Sequence, residues 1–326
     1  MVDKKLVTVI TAVYNKEKYL QEWAESLSRQ TFLDKTEILV IDDGSTDDSV
    51  KLIKKFTKKY KLPIKLVQNE KNLGQLNSLL KTFRTLETKY WTILDADDYY
   101  IAPKKLENAV TFLESHDDYS VYAMNYYFYH EKTNENVPLA PPHLPSATFN
   151  NMREAPFFQT SATTFRNFFT KEFIDAIEKF SAENETDVCE GDSFRNAIAF
   201  GFGKMYFENV MGSAYRCDVG MWGNLSELEQ DILNMKGHWE LFEFYRAQFQ
   251  DDENSQHMLG LTIHFYMKSL LAVVNMMRDL SFYKFEFKPS FIKNVKKFQG
   301  ASDAETMMNC LMHYGKTLKD FGVIIQ

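Results

Sequence analysis

The first 115 residues alternate between short apolar runs and stretches in which apolar side chains recur every three or four positions. Four runs, beginning near residues 6, 38, 64 and 90, are rich in β-branched or aromatic side chains, which favours buried strands. A helical pattern follows each run, and Leu20, Trp23 and Leu27 belong to the first. This alternation predicts parallel strands joined by helical crossovers, hence an α/β, Rossmann-like, doubly wound sheet.

The pattern changes after residue 118. Residues 119–130 predict one long strand, and the prolines of residues 131–155 predict a loop. A strand near residue 160, two helices and one or two strands near residue 204 complete the first region. From about residue 225 only helical spacing recurs. We therefore predict an α/β domain over residues 1–222 and a helical C-terminal extension over residues 223–326, which serves packing, oligomerisation or binding.

Polar side chains stand directly after the predicted strands. Tyr14 and Asn15 follow the first, Asp42 and Asp43 the second, and the sequence DADD at residues 95–98 the fourth. Asn15 also fits the N-cap of the next helix. In doubly wound sheets ligands bind beyond the carboxyl ends of the strands, so these residues are expected to share one crevice.

The DADD stretch places three carboxylates within four residues. Carboxylates this close repel one another unless they are solvated, protonated or neutralised by a cation. A hard divalent cation shared with a diphosphate neutralises them. A plain acidic turn is the alternative interpretation.

Two later stretches carry candidate chemistry. Glu190 and Asp192 precede a predicted helix, where Asp192 is either its N-cap or a general base. Arg216 is either a structural ion-pair partner or a phosphate ligand. Asp218 is either a surface residue or a further metal ligand.

Composition narrows the class of protein. A net charge of -7 argues against a general nucleic-acid binder. Cys189, Cys217 and Cys310 form no metal or redox spacing, which is typical of a reducing compartment. Neither a signal peptide nor a run of about 20 apolar residues is evident. The sequence thus predicts a soluble, cytoplasmic protein without a transmembrane segment.

Taken together, the stretches TAVYN, QTF, ILVIDDGSTDDS, NLGQLNSLL and ILDADD resemble the family 2 glycosyltransferases of GT-A fold. The resemblance covers roughly residues 5–220. It implies a metal-dependent, inverting transferase that uses Mn²⁺ or Mg²⁺ and a nucleotide-sugar donor, most often a UDP-sugar. It further implies a hydroxyl acceptor on a cell-surface glycan, as in bacterial polysaccharide biosynthesis, or on its lipid-linked precursor.

The resemblance also implies roles for the matching positions. The residues expected along the nucleotide and donor sugar are Thr11, Ala12, Tyr14, Asp42, Asn72, Gly74 and Asn77. Asp95, Ala96 and Asp97 would form the DxD motif, in which Asp95 reaches the ribose or the metal and Asp97 binds the metal that bridges the diphosphate. Arg216 would offset charge on the leaving diphosphate.

Two departures from the family pattern leave roles open. Gly191 separates Glu190 from Asp192, where the family has two adjacent acids, so Asp192 is the expected base and Glu190 the alternative. Many relatives carry a metal-binding histidine where this chain has Asp218, which is therefore expected to be a third protein ligand to the metal.

Two other functions fit the sequence less well, and its C-terminal third allows two further partners. A sugar nucleotidyltransferase would need a Gly-rich loop after the first strand, and TAVYNKEKYL has no glycine. A catalytically silent glycan-binding or scaffold subunit would have lost acids that are present here. The basic stretch KFEFKPSFIKNVKKF would allow peripheral contact with a membrane. The C-terminal helices would allow a homo-oligomer.

Overall fold

The computed structural model of the chain describes residues 4–70, 75–184, 191–217, 219, 225–250 and 252–278. The chain divides into two compact units. The first comprises Met1–Glu183 and Cys189–Val219, and the second comprises Asn184–Val188 and Gly220–Gln326.

Within the described residues, one sheet of ten strands forms the centre of the first unit. Its strands are β1 (Val7–Val13), β2 (Thr36–Asp42), β3 (Ile64–Gln68), β4 (Tyr90–Ile93), β5 (Tyr99–Tyr100), β6 (Tyr119–His130), β7 (Glu135–Pro138), β8 (Ala147–Phe149), β9 (Thr163–Arg166) and β10 (Lys204–Arg216). They lie in the order β3-β2-β1-β4-β9-β6-β10-β5, with β7 beside β6 and β8 beside β10.

The predicted parallel half of the sheet is confirmed. The strands β3, β2, β1 and β4 run parallel, so their carboxyl ends share one edge. The helices between and after them are α1 (Leu20–Ser28), α2 (Ser49–Tyr60), α3 (Gln75–Arg84) and α4 (Lys105–Ser115). The predicted face Leu20, Trp23 and Leu27 is fully buried in the core cluster that also contains Val9 and Val40. The helical spacing therefore predicted correctly which face of α1 packs in the core.

The other half of the sheet is mixed. The strand β9 runs antiparallel between β4 and β6, whereas β6 and β10 pair in parallel. Two helices accompany it, α5 (Lys171–Asn184) and α6 (Asp192–Phe200). The prediction of a loop over residues 131–155 was wrong in part, because β7 and β8 lie within it. Pro138 ends β7, which pairs with β6 and with no other strand among the described residues. Such an edge strand tolerates a proline because one side needs no N–H donors.

The second unit contains two long helices, α7 (Glu227–Phe249) and α8 (Asp252–Arg278). Ser226 and Glu229 form a reciprocal capping box that begins α7. Lys268 of α8 binds Asp231 and Glu227 of α7 at 3.0 and 2.9 Å. The predicted helical C-terminal region is confirmed. Across the helices that the structure describes, none combines the length and apolarity that a bilayer crossing requires.

Candidate active site

The loop after β1 is tied to the loop after β2. Asn15 has a φ of 53°, a left-handed conformation that asparagine tolerates. Its backbone N–H donates to Ser45 Oγ at 3.0 Å, and the N–H of Thr46 donates to Asn15 Oδ1 at 2.8 Å. Asn15 therefore does not cap α1 as predicted, because Tyr19 holds that position. The tie places Tyr14, 47% exposed, just beyond β1.

A second set of bonds continues this tie toward α2. The N–H of Lys16 donates to Ser49 Oγ at 2.9 Å, and the N–H of Glu17 donates to Asp47 Oδ2 at 3.1 Å. In return the N–H of Asp48 donates to Glu17 Oε2 at 2.8 Å. These bonds satisfy backbone donors around the start of α2 and fix the main chain of Lys16.

The two acids that end β2 have different partners. Asp42 is 2% exposed, and its Oδ1 accepts from the N–H of Ser45 at 3.3 Å. Asp43 is 8% exposed, and its Oδ1 accepts from Asn69 Nδ2 at 2.8 Å. Asp42 thus holds the turn that follows it, while Asp43 joins the segments after β2 and β3. The role predicted for Asp42 toward the nucleotide stays a prediction.

Thr11 is a core residue. It is fully buried, its hydroxyl donates to the carbonyl oxygen of Leu94 at 2.8 Å and it accepts from Trp23 Nε1 at 3.2 Å. The side chain of Thr11 therefore faces the core, and the role predicted for Thr11 along the nucleotide stays a prediction. Its neighbour Ala12 is partly exposed.

We call residues 95–98, which follow β4, the acidic turn. Asp95 is partly exposed, and Ala96 is buried between the two acids of the DxD motif. Asp97 Oδ2 accepts from Lys16 Nζ at 2.5 Å. Asp98 is 2% exposed, and its Oδ1 accepts from the backbone N–H of Arg216 at 3.1 Å. The turn thus has one acid facing a lysine and one acid facing the main chain of β10.

Burial, together with crowding of charge, raises the pKa of two carboxyl groups in the acidic turn. Burial, followed by the charges of Asp97 and Asp192, raises the pKa of Asp95, while Arg195 and Lys16 act in the opposite direction. Burial, with the charges of Asp95 and Asp97, raises the pKa of Asp98 well above its ordinary value. Additional positive charge beside the turn would stabilise the ionised forms.

Oxygen ligands of this kind suit Mn²⁺ or Mg²⁺. Among the described residues, no group of three or more Asp, Glu, His or Cys side chains is arranged to hold a metal ion. The turn therefore offers one or two carboxylates, Asp95 and Asp97, and Mg²⁺ is commonly held by that number together with substrate phosphates and water. This donor set fits a metal that binds together with a diphosphate.

Asp192 is the first residue of α6. The N-cap is Gly191, so the alternative interpretation of Asp192 as N-cap is wrong. Asp192 Oδ1 accepts from Thr160 Oγ1 and from Arg195 Nη2, and Arg195 Nη2 also donates to Thr160 Oγ1 at 3.0 Å. The side chain of Asp192 keeps 20% exposure. Since its charge raises the pKa of Asp95, Asp192 lies within electrostatic range of the acidic turn.

The guanidinium of Arg216 is enclosed. Its side chain is 6% exposed, its Nη2 pairs with Glu22, and its Nε donates to the carbonyl oxygen of Asp97 at 2.7 Å. Of the two interpretations that the sequence left open, this geometry favours the structural ion pair over the phosphate ligand.

Several predicted residues lie outside the described residues. These are Asn72, Gly74, Glu190 and Asp218. Asn77 lies in α3, whose backbone is described at that position while its side chain is not. Their roles stay predictions.

The sequence reasoning missed three residues of the site: Lys16, Thr160 and Arg195. Arg195 had a usable signal, because residues three apart on a helix face each other and Asp192 begins that helix. The position of Lys16 depends on the left-handed turn at the preceding Asn15, and the sequence pattern did not indicate that turn. Thr160 had no local signal, since 32 positions separate it from Asp192.

Comparison with known proteins identifies the class. The sequence profile of glycosyl transferase family 2 matches residues 8–174, about half of the chain, and the chain belongs to that family. An uncharacterized glycosyltransferase of Methanocaldococcus jannaschii is 38% identical over 133 residues, which are 40% of this chain and 45% of that protein. The chain spans less than half the length of the first curated relatives that it matches.

Solved structures share the fold over most of the chain. Residues 1–349 of Staphylococcus aureus TarS, in complex with UDP-GlcNAc, align with a TM-score of 0.55 and 16% identity over 96% of this chain and 92% of that one. The mannosyltransferase PcManGT of Pyrobaculum calidifontis, in complex with GDP-Man and Mn²⁺, aligns with a TM-score of 0.50 and 14% identity over 95% and 86%. At these identities the likeness shows the GT-A-like fold alone.

Proposed function

We propose that the protein transfers a sugar from a nucleoside-diphosphate donor to a hydroxyl group, with inversion at the anomeric carbon. One observation carries the proposal: Asp192 lies within electrostatic range of the acidic turn in a chain of glycosyl transferase family 2. A leaving diphosphate needs neutralising charge, whereas an attacking hydroxyl needs a base. The acidic turn and Asp192 would serve these two needs separately.

The proposed donor is a UDP-sugar. The complex of TarS with UDP-GlcNAc supports UDP, while the complex of PcManGT with GDP-Man keeps GDP as the alternative. The exposed ring of Tyr14 would stack on the base, and Asp42 would recognise its N–H groups from the end of β2. Asn72, Gly74 and Asn77 would pass beside the ribose and the donor sugar.

The proposed cofactor is Mn²⁺ or Mg²⁺, held by Asp97 and Asp95. Bound there, the metal would supply Lewis-acid stabilisation of charge on the leaving diphosphate. Lys16, whose Nζ is 2.5 Å from Asp97 Oδ2, would add a second positive charge beside the same oxygens. We keep Asp218 as a proposed third ligand; unchanged Mn²⁺ affinity in Asp218→Ala would eliminate it.

Asp192 is the proposed general base. Thr160 and Arg195 both donate to its Oδ1, which orients the carboxylate. The acceptor oxygen would form its bond to the anomeric carbon on the face opposite the diphosphate, as the bond to the diphosphate breaks and the hydroxyl proton passes to Asp192. A single displacement inverts the configuration without a covalent intermediate. Glu190 is the alternative base.

The proposed acceptor is a cell-surface glycan or its lipid-linked precursor, and the support for it is the family resemblance. The C-terminal extension of residues 223–326 would bind that acceptor or a second copy of the chain. The basic stretch expected to contact a membrane begins at residue 284 and lies outside the described residues.

Release of nucleoside diphosphate tests the proposal. UDP-GlcNAc, UDP-glucose and GDP-mannose would each be incubated with the protein, Mn²⁺ and a lipid-linked glycan fraction. We expect one donor to release its nucleoside diphosphate, Asp97→Asn to abolish the release and Asp192→Asn to slow it by roughly 10²–10⁴-fold. Pyrophosphate formed from UTP and a sugar 1-phosphate would instead identify a nucleotidyltransferase. Glycan binding without any release would identify a silent scaffold.

A further inference from the structure

One arginine, at the end of β10, holds the acidic turn through two hydrogen bonds. Arg216 ends β10, and its backbone N–H donates to Asp98 Oδ1 at 3.1 Å. Its side-chain Nε donates to the carbonyl oxygen of Asp97 at 2.7 Å. One residue therefore contacts two successive residues of the acidic turn, once through its main chain and once through its side chain.

Two glutamates fix the far end of the same guanidinium. Arg216 Nη2 pairs with Glu22 of α1, and Nη1 lies 3.6 Å from Glu131 Oε1, just after β6. Glu131 in turn accepts from the exposed Lys18 at 2.9 Å. The side chain of Arg216 is 6% exposed, whereas those of Glu22 and Glu131 are 48% and 30% exposed. The arginine is thus enclosed, while its acidic partners reach solvent.

Three tyrosine rings complete the enclosure. The guanidinium carbon lies 5.1 Å from the ring centroid of Tyr19, 5.5 Å from that of Tyr99 and 5.1 Å from that of Tyr129. Tyr129 is also the backbone partner of Arg216 between β6 and β10. Such contacts stabilise a cation through the electron-rich ring faces and leave little room for rotation.

We propose that Arg216 is a positioning residue, which sets the geometry of the acidic turn for metal and diphosphate without touching either. We name the set Arg216, Glu22, Glu131, Tyr19, Tyr99 and Tyr129 the arginine clamp. The inference rests on the proposed function, since it assigns a task only if the acidic turn binds a metal and a diphosphate. It replaces the role of phosphate ligand that the sequence left open for Arg216.

The two roles of Arg216 predict opposite effects of its acidic partners. If the clamp positions the turn, Glu22→Gln loosens Arg216 and weakens binding at the turn. If Arg216 were a phosphate ligand, the same change would free its guanidinium and add net positive charge, so that a diphosphate would bind equally well or more tightly. Glu22 is half-exposed, which makes Glu22→Gln compatible with folding where Arg216→Lys risks misfolding.

The test is calorimetric titration of the full chain with UDP in the presence of Mn²⁺, and separately with uridine. For Glu22→Gln and Glu131→Gln we expect affinity for UDP with Mn²⁺ to fall about tenfold or more, which is typical when the support of a metal ligand is removed. Affinity for uridine should fall by a clearly smaller factor, because uridine carries no diphosphate and its binding needs no metal. The matched control Lys18→Gln removes the other partner of Glu131 and should leave both affinities unchanged.

A double variant separates positioning from a general loss of structure. Arg216→Lys combined with Glu22→Gln should bind UDP with Mn²⁺ no more weakly than Arg216→Lys alone, because both changes break the same clamp. Equal or tighter UDP binding by Glu22→Gln would overturn the clamp and leave the proposed function standing. A parallel loss of uridine affinity would also overturn it. Wild-type protein that binds no nucleotide would overturn the proposed function together with it.

Discussion

At the scale of single residues, the site depends on how each carboxylate is paired. Asp192 is held at one oxygen by Thr160 and Arg195, yet it keeps part of its side chain exposed. Asp97 contacts the partly exposed Lys16. Both acids are therefore oriented by neighbours and remain open to a ligand, which is the condition that a base and a metal ligand have in common.

The role of Asp192 predicts a selective loss of turnover. Asp192→Asn keeps the shape of the side chain but removes its ability to take a proton. Transfer should fall by roughly 10²–10⁴-fold, the usual contribution of a general base. Affinity for UDP with Mn²⁺ should stay unchanged. Steady-state turnover and calorimetry measure the two quantities, with the exposed Asp118→Asn as control. Comparable losses of turnover and affinity would contradict the assignment.

Lys105 has an unusual position that concerns stability. It begins α4, it is fully buried, and among the described residues its Nζ has no hydrogen-bond partner, although it lies 4.8 Å from the ring centroid of Tyr100. Burial lowers the pKa of Lys105 from 10.5 to about 7. The protonated form is therefore disfavoured in the folded state relative to the unfolded chain.

Lys105→Met is expected to stabilise the protein near neutral pH. The destabilisation by Lys105 is fully present below its folded pKa of about 7 and disappears as the pH rises toward its unfolded pKa of 10.5. Because each pKa unit is worth about 1.4 kcal/mol, the variant should gain several kcal/mol at pH 6 and only about 2 kcal/mol at pH 9. Urea unfolding at both pH values measures this. A gain that is independent of pH would contradict the explanation.

At the scale of elements, the carboxyl ends of the parallel strands are joined by reciprocal bonds between loops. The left-handed Asn15 lets the chain leave β1 and meet Ser45 and Thr46 after β2. The bonds that follow reach the start of α2. The two loops that border the proposed nucleotide pocket therefore form one connected unit.

Asn15→Ala tests this connection. Alanine loses the bond from Thr46 and is strained at a positive φ, so the free energy of unfolding should fall by about 1–3 kcal/mol. UDP affinity should fall as well. Asn15→Gly relieves the strain but also loses the bond from Thr46. Its free energy of unfolding should therefore lie between those of wild type and Asn15→Ala. Lys61→Ala, at another position of positive φ, serves as control and should change neither quantity. Unaltered UDP affinity in Asn15→Ala would show that the loops act independently.

At the scale of the whole molecule, the sequence predicted the parallel half of the sheet better than the mixed half. Alternation of β-branched runs with helical spacing indicates β1 to β4 directly, because each crossover is local in sequence. The strands β7 and β8 were missed, because the prolines of residues 131–155 resemble a loop signal, although Pro138 stands on an edge strand.

In the candidate site too, features that are local in sequence were predicted and long-range contacts were not. Acids at strand ends, such as Asp97, were predicted because position along the chain determines their place in the sheet. The enclosure of Arg216 could not be predicted, because Glu22 and Tyr99 come from elements far apart in sequence. Likewise, nothing local distinguishes the buried Thr11 from a residue that faces the crevice.

The predicted domain boundary at residue 222 is a proposal with its own test. If residues 1–222 form the catalytic domain, that fragment should fold and bind UDP with Mn²⁺ as the full chain does. Circular dichroism and calorimetry compare the two proteins. A fragment that aggregates or binds no UDP would contradict the boundary at residue 222.

The central claim is that the acidic turn binds a metal and a nucleoside diphosphate together. The most direct test is the thermal melting midpoint with UDP and Mn²⁺, with and without EDTA, for wild type, Asp97→Asn and the exposed control Asp117→Asn. A ligand at a hundredfold excess over Kd stabilises by about 2.7 kcal/mol, so the midpoint should rise measurably. We predict that EDTA and Asp97→Asn abolish the rise while Asp117→Asn retains it. An absent rise, or one indifferent to EDTA and Asp97→Asn, would contradict the claim.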